Sequence, residues 1–185
     1  MQGDPADAPV TDGPPRALLI AAVLVPVVAI GVVLAMAASL STPPAPVAIA
    51  ALPAAQASTP ECQGLLAALP DRLGDYQRAA TADPTPAGAA AWRGDGEPGT
   101  EPVIMRCGLD RPAEFVIGAP IQMVDRVSWF RLADPDTGRS TWVCVDRPVY
   151  VALTLPDGSG PTPIQTLSEA IERTLPATPI RPGQP

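Results

Sequence analysis

Apolar residues are distributed along this chain in two ways. From Ala17 to Leu40 they are continuous: ALLIAAVLVPVVAIGVVLAMAASL holds no charged residue and one proline. From about residue 61 onward they recur at helical or strand spacing, broken by turn residues. A helix rises about 1.5 Å per residue, so the first segment would reach roughly 36 Å. A hydrocarbon core is about 30 Å thick, so residues 17–40 are expected to form a transmembrane helix that closes its own backbone hydrogen bonds. Pro26 is expected to kink it. Gly31, Ala35 and Ser39 form a small-residue row that could pack on another helix, although an Ala-rich segment produces such rows by composition alone. Arg16 is the cation beside this segment, and the next is Arg72. The positive-inside rule then places residues 1–16 in the cytoplasm as a disordered tail and the rest outside. A cleaved signal peptide is the alternative, because Ala35-Met36-Ala37 and Ala55-Gln56-Ala57 both fit a cleavage site. Its apolar region is normally about 7–15 residues, shorter than this one, which favours a signal anchor. Either way residues 61–185 are exported.

Residues 41–60, STPPAPVAIAALPAAQASTP, carry no charge and many prolines. They are expected to act as an extended linker, with Val47 to Leu52 able to graze a bilayer surface. A first helix is expected next. Ser58 and Glu61 have capping-box spacing, Pro60 suits a first turn, and Cys62, Leu65, Leu66 and Leu69 share a face before Pro70. Leu73 and Tyr76 are expected in a second short turn, and 77–90 in a surface connection.

Strand patterns follow at 89–93, 103–107, 121–124, 127–132, 141–145 and 149–155. Val103, Met105 and Cys107 face opposite to Ile104 and Arg106, and Val149, Val151, Leu153 and Leu155 alternate with Tyr150, Ala152 and Thr154. GDGEPGTE reads as a loop, Asp125-Arg126 as a tight turn or bulge, and Asp134-Pro135-Asp136-Thr137-Gly138 as a hairpin turn. Thr162, Pro163 and Gln165 open a last helix with an apolar stripe of Ile164, Leu167, Ile171, Thr174 and Leu175. Pro176 ends it, leaving 177–185 as a flexible tail. The expected fold is α+β: an N-terminal transmembrane helix, then one domain over 61–176 with an antiparallel sheet of about five strands and two main helices on one face.

Composition narrows the chemistry. The 185 residues carry a net charge of −7 and contain no histidine. That balance argues against nucleic acid or anionic lipid headgroups as the main partner. Without histidine the usual base of a nucleophilic triad is missing. The three cysteines are far apart in sequence, unlike the short spacings of zinc sites. Gly94-x-Gly96-x-x-Gly99 has dinucleotide spacing, but its acids would repel pyrophosphate and a strand follows it. Asp110, Glu114, Asp125 and Asp146 could supply a carboxylate pair, although solvated surface acids read the same way. Arg106, Arg126 and Arg147 could line an anion pocket, while Asp-Arg repeats more often make turns and local ion pairs. Trp92, Trp129 and Trp142 could line a groove, or simply fill the core. Cys144 could be a reactive thiol or an inert buried one. Three cysteines in an exported domain suggest one disulfide, and sequence alone leaves three pairings open.

LLAALP after Cys62, AAAWR at 89–93, RCG at 106–108, VDRVSW at 124–129 and RPVYVALTLP at 147–156 together resemble the actinobacterial cell-envelope family known as domain of unknown function thirty-five-fifteen. The likeness covers about residues 60–176. It implies an exported, membrane-attached domain and supplies no activity, cofactor, metal or catalytic residue. It also implies a Cys62–Cys107 disulfide, leaving Cys144 free. The expectation is therefore a single-pass cell-membrane protein with a non-catalytic extracytoplasmic domain that binds an envelope protein partner. A small-ligand or lipid-binding protein, or a protein secreted after cleavage, is the alternative.

Overall fold

The computed structural model describes residues 16–40, 45–94 and 100–184. The chain divides into two units, Met1–Pro43 and Pro44–Pro185.

In the first unit, helix α1 spans Arg16–Leu40 with Pro26 inside it. Its described large apolar side chains, such as Val25, Leu34 and Met36, are exposed. The expected transmembrane helix is corrected: among the described residues no helix is long and apolar enough to cross a membrane.

In the second unit, the expected sheet of about five strands is corrected to eight among the described residues. They are β1 (Arg72–Leu73), β2 (Tyr76–Ala79), β3 (Ala89–Gly94), β4 (Val103–Leu109), β5 (Ile121–Val124), β6 (Val127–Ala133), β7 (Ser140–Cys144) and β8 (Tyr150–Leu155). The order is β1-β2-β3-β4-β8-β7-β6-β5, and every neighbouring pair is antiparallel. The strands missed from sequence come from a tight hairpin. Leu73 pairs with Tyr76 across Gly74 and Asp75, and Gly74 has φ +60°. Glycine at the first centre of a two-residue turn gives the twist that a hairpin needs. So Leu73 and Tyr76 are strand residues, not a helical turn, and 76–79 is not part of a surface connection.

Helices α2 (Pro60–Ala67) and α3 (Thr162–Thr174) pack on one face. Cys62 and Leu65 from α2 meet Ile164, Leu167, Ala170 and Ile171 from α3 over Trp92, Met105, Trp129 and Leu153. Neither expected capping box forms. The N-caps are Thr59 and Pro161, one residue from the expected frame in each case, and neither makes a side-chain cap bond.

The opposite face is covered by extended chain. Val47 and Ile49 pack on Ala91 and Ile104. Val47 N–H donates to Ala80 O at 2.8 Å, and Arg93 and Arg106 donate to Ala45 O and Ala50 O. Residues 45–50 are therefore a docked part of the domain rather than a free spacer. Phe115, from the 110–120 loop, packs on Phe130 with ring centres 5.2 Å apart and ring planes tilted by 45°. The C-terminal segment joins this cover, with Gly183 N–H donating to Phe115 O at 2.8 Å and Ile117 N–H to Gly183 O at 3.0 Å. The tail from 177 is thus tied down through Gly183. Two faces to bury explain why β4 and β8 are apolar almost throughout, not only at alternate positions.

Candidate binding sites

Cys62 and Cys107 form a disulfide with Cα atoms 5.6 Å apart, joining α2 to β4. Gly108 follows at φ +86°, where the β4–β8 register shifts. A side chain there would strike the Gln56–Ala57 backbone, which crosses where a Cβ would lie. Cys107 and Gly108 of the RCG motif thus serve structure: a cysteine for the bridge, then a glycine for the bulge and the crossing chain.

Cys144 is free and fully buried. Burial pushes its thiol well above the ordinary range, and the Asp146 charge pushes the same way. Its Sγ donates to Asp146 Oδ1 at 3.6 Å. Of the four candidate carboxylates, Asp110 and Glu114 lie on the 110–120 loop and Asp125 in the β5–β6 turn, all three exposed. Asp146 is committed: Oδ2 accepts the Ser128 N–H at 2.9 Å and Oδ1 lies 2.9 Å from Arg147 Nη1. Among the described residues no cluster of His, Cys, Asp or Glu could hold a metal. Of the glycine triplet at 94–99, Gly96 and Gly99 lie outside the described residues, as does most of the GDGEPGTE loop.

The tryptophans separate. Trp92 and Trp129 are core, with Nε1 donating to Pro70 O and to Ser168 Oγ, both at 3.0 Å. Trp142 is half-buried and lines a groove of about 380 Å³ with Gln122, Val124, Arg131, Leu155 and Ile164. The Arg131 guanidinium lies 5.5 Å from its ring centre.

That groove runs beside β5, which ends the sheet. Val124 and Val127 flank the two-residue turn at Asp125-Arg126. They form the hydrogen-bonded pair that closes the hairpin, and bonded pairs alternate from there. Gln122 therefore bonds inward to Trp129, and the N–H and C=O of Ile121 and Met123 point away from the sheet. Met123 is 74% exposed and Ile121 39%. No charged residue or proline interrupts 121–124, the usual devices that blunt an edge strand.

The three arginines expected around an anion do not converge. Arg106 holds Ala50 O, and Arg126 is exposed and pairs with Glu172 at 3.3 Å. Arg147 does line a pocket, of about 490 Å³, but with Arg111, Arg181 and Tyr150. Burial pushes the Tyr150 hydroxyl up, and the charges of Arg111 and Arg181 pull it down. Sequence reasoning missed Arg111 because it sits in an Asp-Arg pair like three others, and Arg181 because its segment looked frayed.

The sequence matches the family described as Protein of unknown function (DUF3515) over residues 23–180. The chain belongs to this family. No curated protein and no solved structure matches it. The family match takes in both the sheet domain and most of α1, and the motifs on which the resemblance was read can be placed in three dimensions. Besides RCG, VDRVSW holds the β5–β6 turn and Trp129, and RPVYVALTLP holds Arg147 and β8.

Proposed function

We propose that this DUF3515 protein is a non-catalytic, extracytoplasmic accessory domain of the cell envelope that binds a protein partner by strand addition at β5. The observation that carries the reading is the open edge of β5, with two residues' backbone groups directed outward and a groove alongside that includes Val124, Trp142, Leu155 and Ile164. An extended partner segment adding to β5 would pair with Ile121 and Met123 and set alternate side chains over Trp142 and Val124. The Cys62–Cys107 disulfide supports a location beyond the reducing cytoplasm, since such bridges persist in oxidising compartments. The buried, hydrogen-bonded Cys144, the exposed Asp110, Glu114 and Asp125, and the committed Asp146 support a binding role over bond-breaking chemistry.

A photo-crosslinking residue at position 123, compared with one at exposed Glu169 on α3, tests this in intact cells. The expected result is an adduct at 123 and not at 169, mapping by mass spectrometry to an extended segment of another envelope protein. An adduct to a second copy of this chain, or equal adducts at both positions, would overturn the strand-addition reading.

A further inference from the structure

The pocket of about 490 Å³ described above is independent of the β5 edge. Arg111 follows β4, Arg147 and Tyr150 flank the start of β8, and Arg181 comes from the C-terminal segment. That segment is held in place, because Thr178 N–H donates to Asp146 O at 2.9 Å and Gly183 bonds to both Phe115 and Ile117. The Arg111 guanidinium lies along Gly183, where a methyl group would come within 3.2 Å of Nη2.

The charge balance of this pocket runs against that of the chain. The protein carries −7 overall, yet three guanidinium groups line one cavity. Arg147 is balanced by Asp146 at 2.9 Å, and its buried Nε has no hydrogen-bond partner. Arg111 and Arg181 have no ion-pair partner among the described residues. Two positive charges are left facing a cavity whose uncharged polar lining is Tyr150, Gln56 and Thr178. A guanidinium offers paired donors in a planar fork that matches phosphate oxygens. The volume falls within the roughly 300–1,000 Å³ of small-molecule sites, so a bare phosphate would leave much of it empty. Val145, Pro148 and Pro179 supply an apolar wall for the remainder.

We propose that this pocket binds a phosphate monoester, with its phosphate between Arg111 and Arg181, the Tyr150 hydroxyl donating to it, and its organic part against Pro148 and Pro179. The phosphate could belong to a soluble ester or to a lipid headgroup, and the two sources separate experimentally.

The full-length chain is titrated with inorganic phosphate, with glycerol 3-phosphate, and with phosphatidylcholine vesicles with and without phosphatidic acid. Glycerol 3-phosphate is expected to bind more tightly than inorganic phosphate if the source is soluble. Selective binding to phosphatidic acid vesicles indicates the lipid source. In either case Arg111→Gln and Arg181→Gln, both at exposed positions, should each weaken binding about tenfold, as the loss of a charge-assisted hydrogen bond implies. Tyr150→Phe should weaken it less. Circular dichroism of each variant establishes that it is folded. Binding unchanged in the folded double variant, no binding to any of the probes, or inorganic phosphate binding as tightly as glycerol 3-phosphate with no preference for phosphatidic acid vesicles would overturn the proposal.

Discussion

Asp146 and Arg147 are neighbours in sequence and form a buried ion pair, with Arg147 Nη1 2.9 Å from Asp146 Oδ1 and the Arg147 side chain only 2% exposed. The pair ties the β7–β8 connection to the β5–β6 hairpin. Arg147 Nη2 donates to Arg126 O at 2.8 Å, in the β5–β6 turn, while Asp146 accepts the Ser128 N–H of β6. Asp146→Ala would leave a buried guanidinium without its counter-charge and a strand N–H without its acceptor. It is expected to lower stability by about 3–5 kcal/mol in urea denaturation. Breaking the exposed Arg126–Glu172 pair with Glu172→Ala should cost no more than about 1 kcal/mol in the same assay.

Two glycines should respond in opposite directions. Gly108 combines φ +86° with backbone lying where a Cβ would go. Gly108→Ala is expected to cost about 3 kcal/mol or more, by strain and displacement of the 56–57 crossing. Gly64 lies within α2 with open space around it. Gly64→Ala should instead stabilise the domain by about 0.5–1 kcal/mol. Paired thermal or urea melts of the two variants check both signs.

The Cys62–Cys107 bridge closes a loop with a sequence separation of 45. In the chain-entropy account, that constraint on the unfolded state is worth about 4 kcal/mol. Denaturation midpoints with and without a reductant should differ accordingly. A difference below about 1 kcal/mol would mean that the α2–β4 junction is held by packing alone.

Cys144 should behave as a structural residue. Its thiol is buried and held well above the ordinary range, so the reactive thiolate is scarce at physiological pH. Iodoacetamide at pH 8 is expected to leave it unmodified in the folded protein and to label it fully in urea. Rapid labelling of the native chain would contradict this placement.

Much of the sheet was legible because alternation is local. Val149 to Leu155 marks β8, and the Asp134–Gly138 turn marks the β6–β7 hairpin, where Asp134 Oδ1 accepts the N–H groups of Asp136 and Thr137. The α3 stripe marks the face that covers Trp129. What escaped depends on partners distant in sequence. β1 has two residues, so it has no period to read, and its turn is packed by Thr162, whose Cγ2 would lie 3.0 Å from a Cβ at Gly74. Val47 and Ile49 sit in a Pro/Ala stretch and show their role only against Ala91 and Ile104. The arginine pocket was misassigned for the same reason. Arg111 and Arg181 are 70 positions apart, and it is the Gly183–Phe115 bond that brings their segments together.

The central claim is that the backbone edge of β5 carries the partner. Proline at Met123 removes only an N–H that points out of the sheet, and an edge strand tolerates this. With a photo-crosslinker at Ile121 in intact cells, Met123→Ala should retain the partner adduct and Met123→Pro should lose it, with both variants folded by circular dichroism. An adduct retained by the folded proline variant, or lost equally in both variants, would contradict the account.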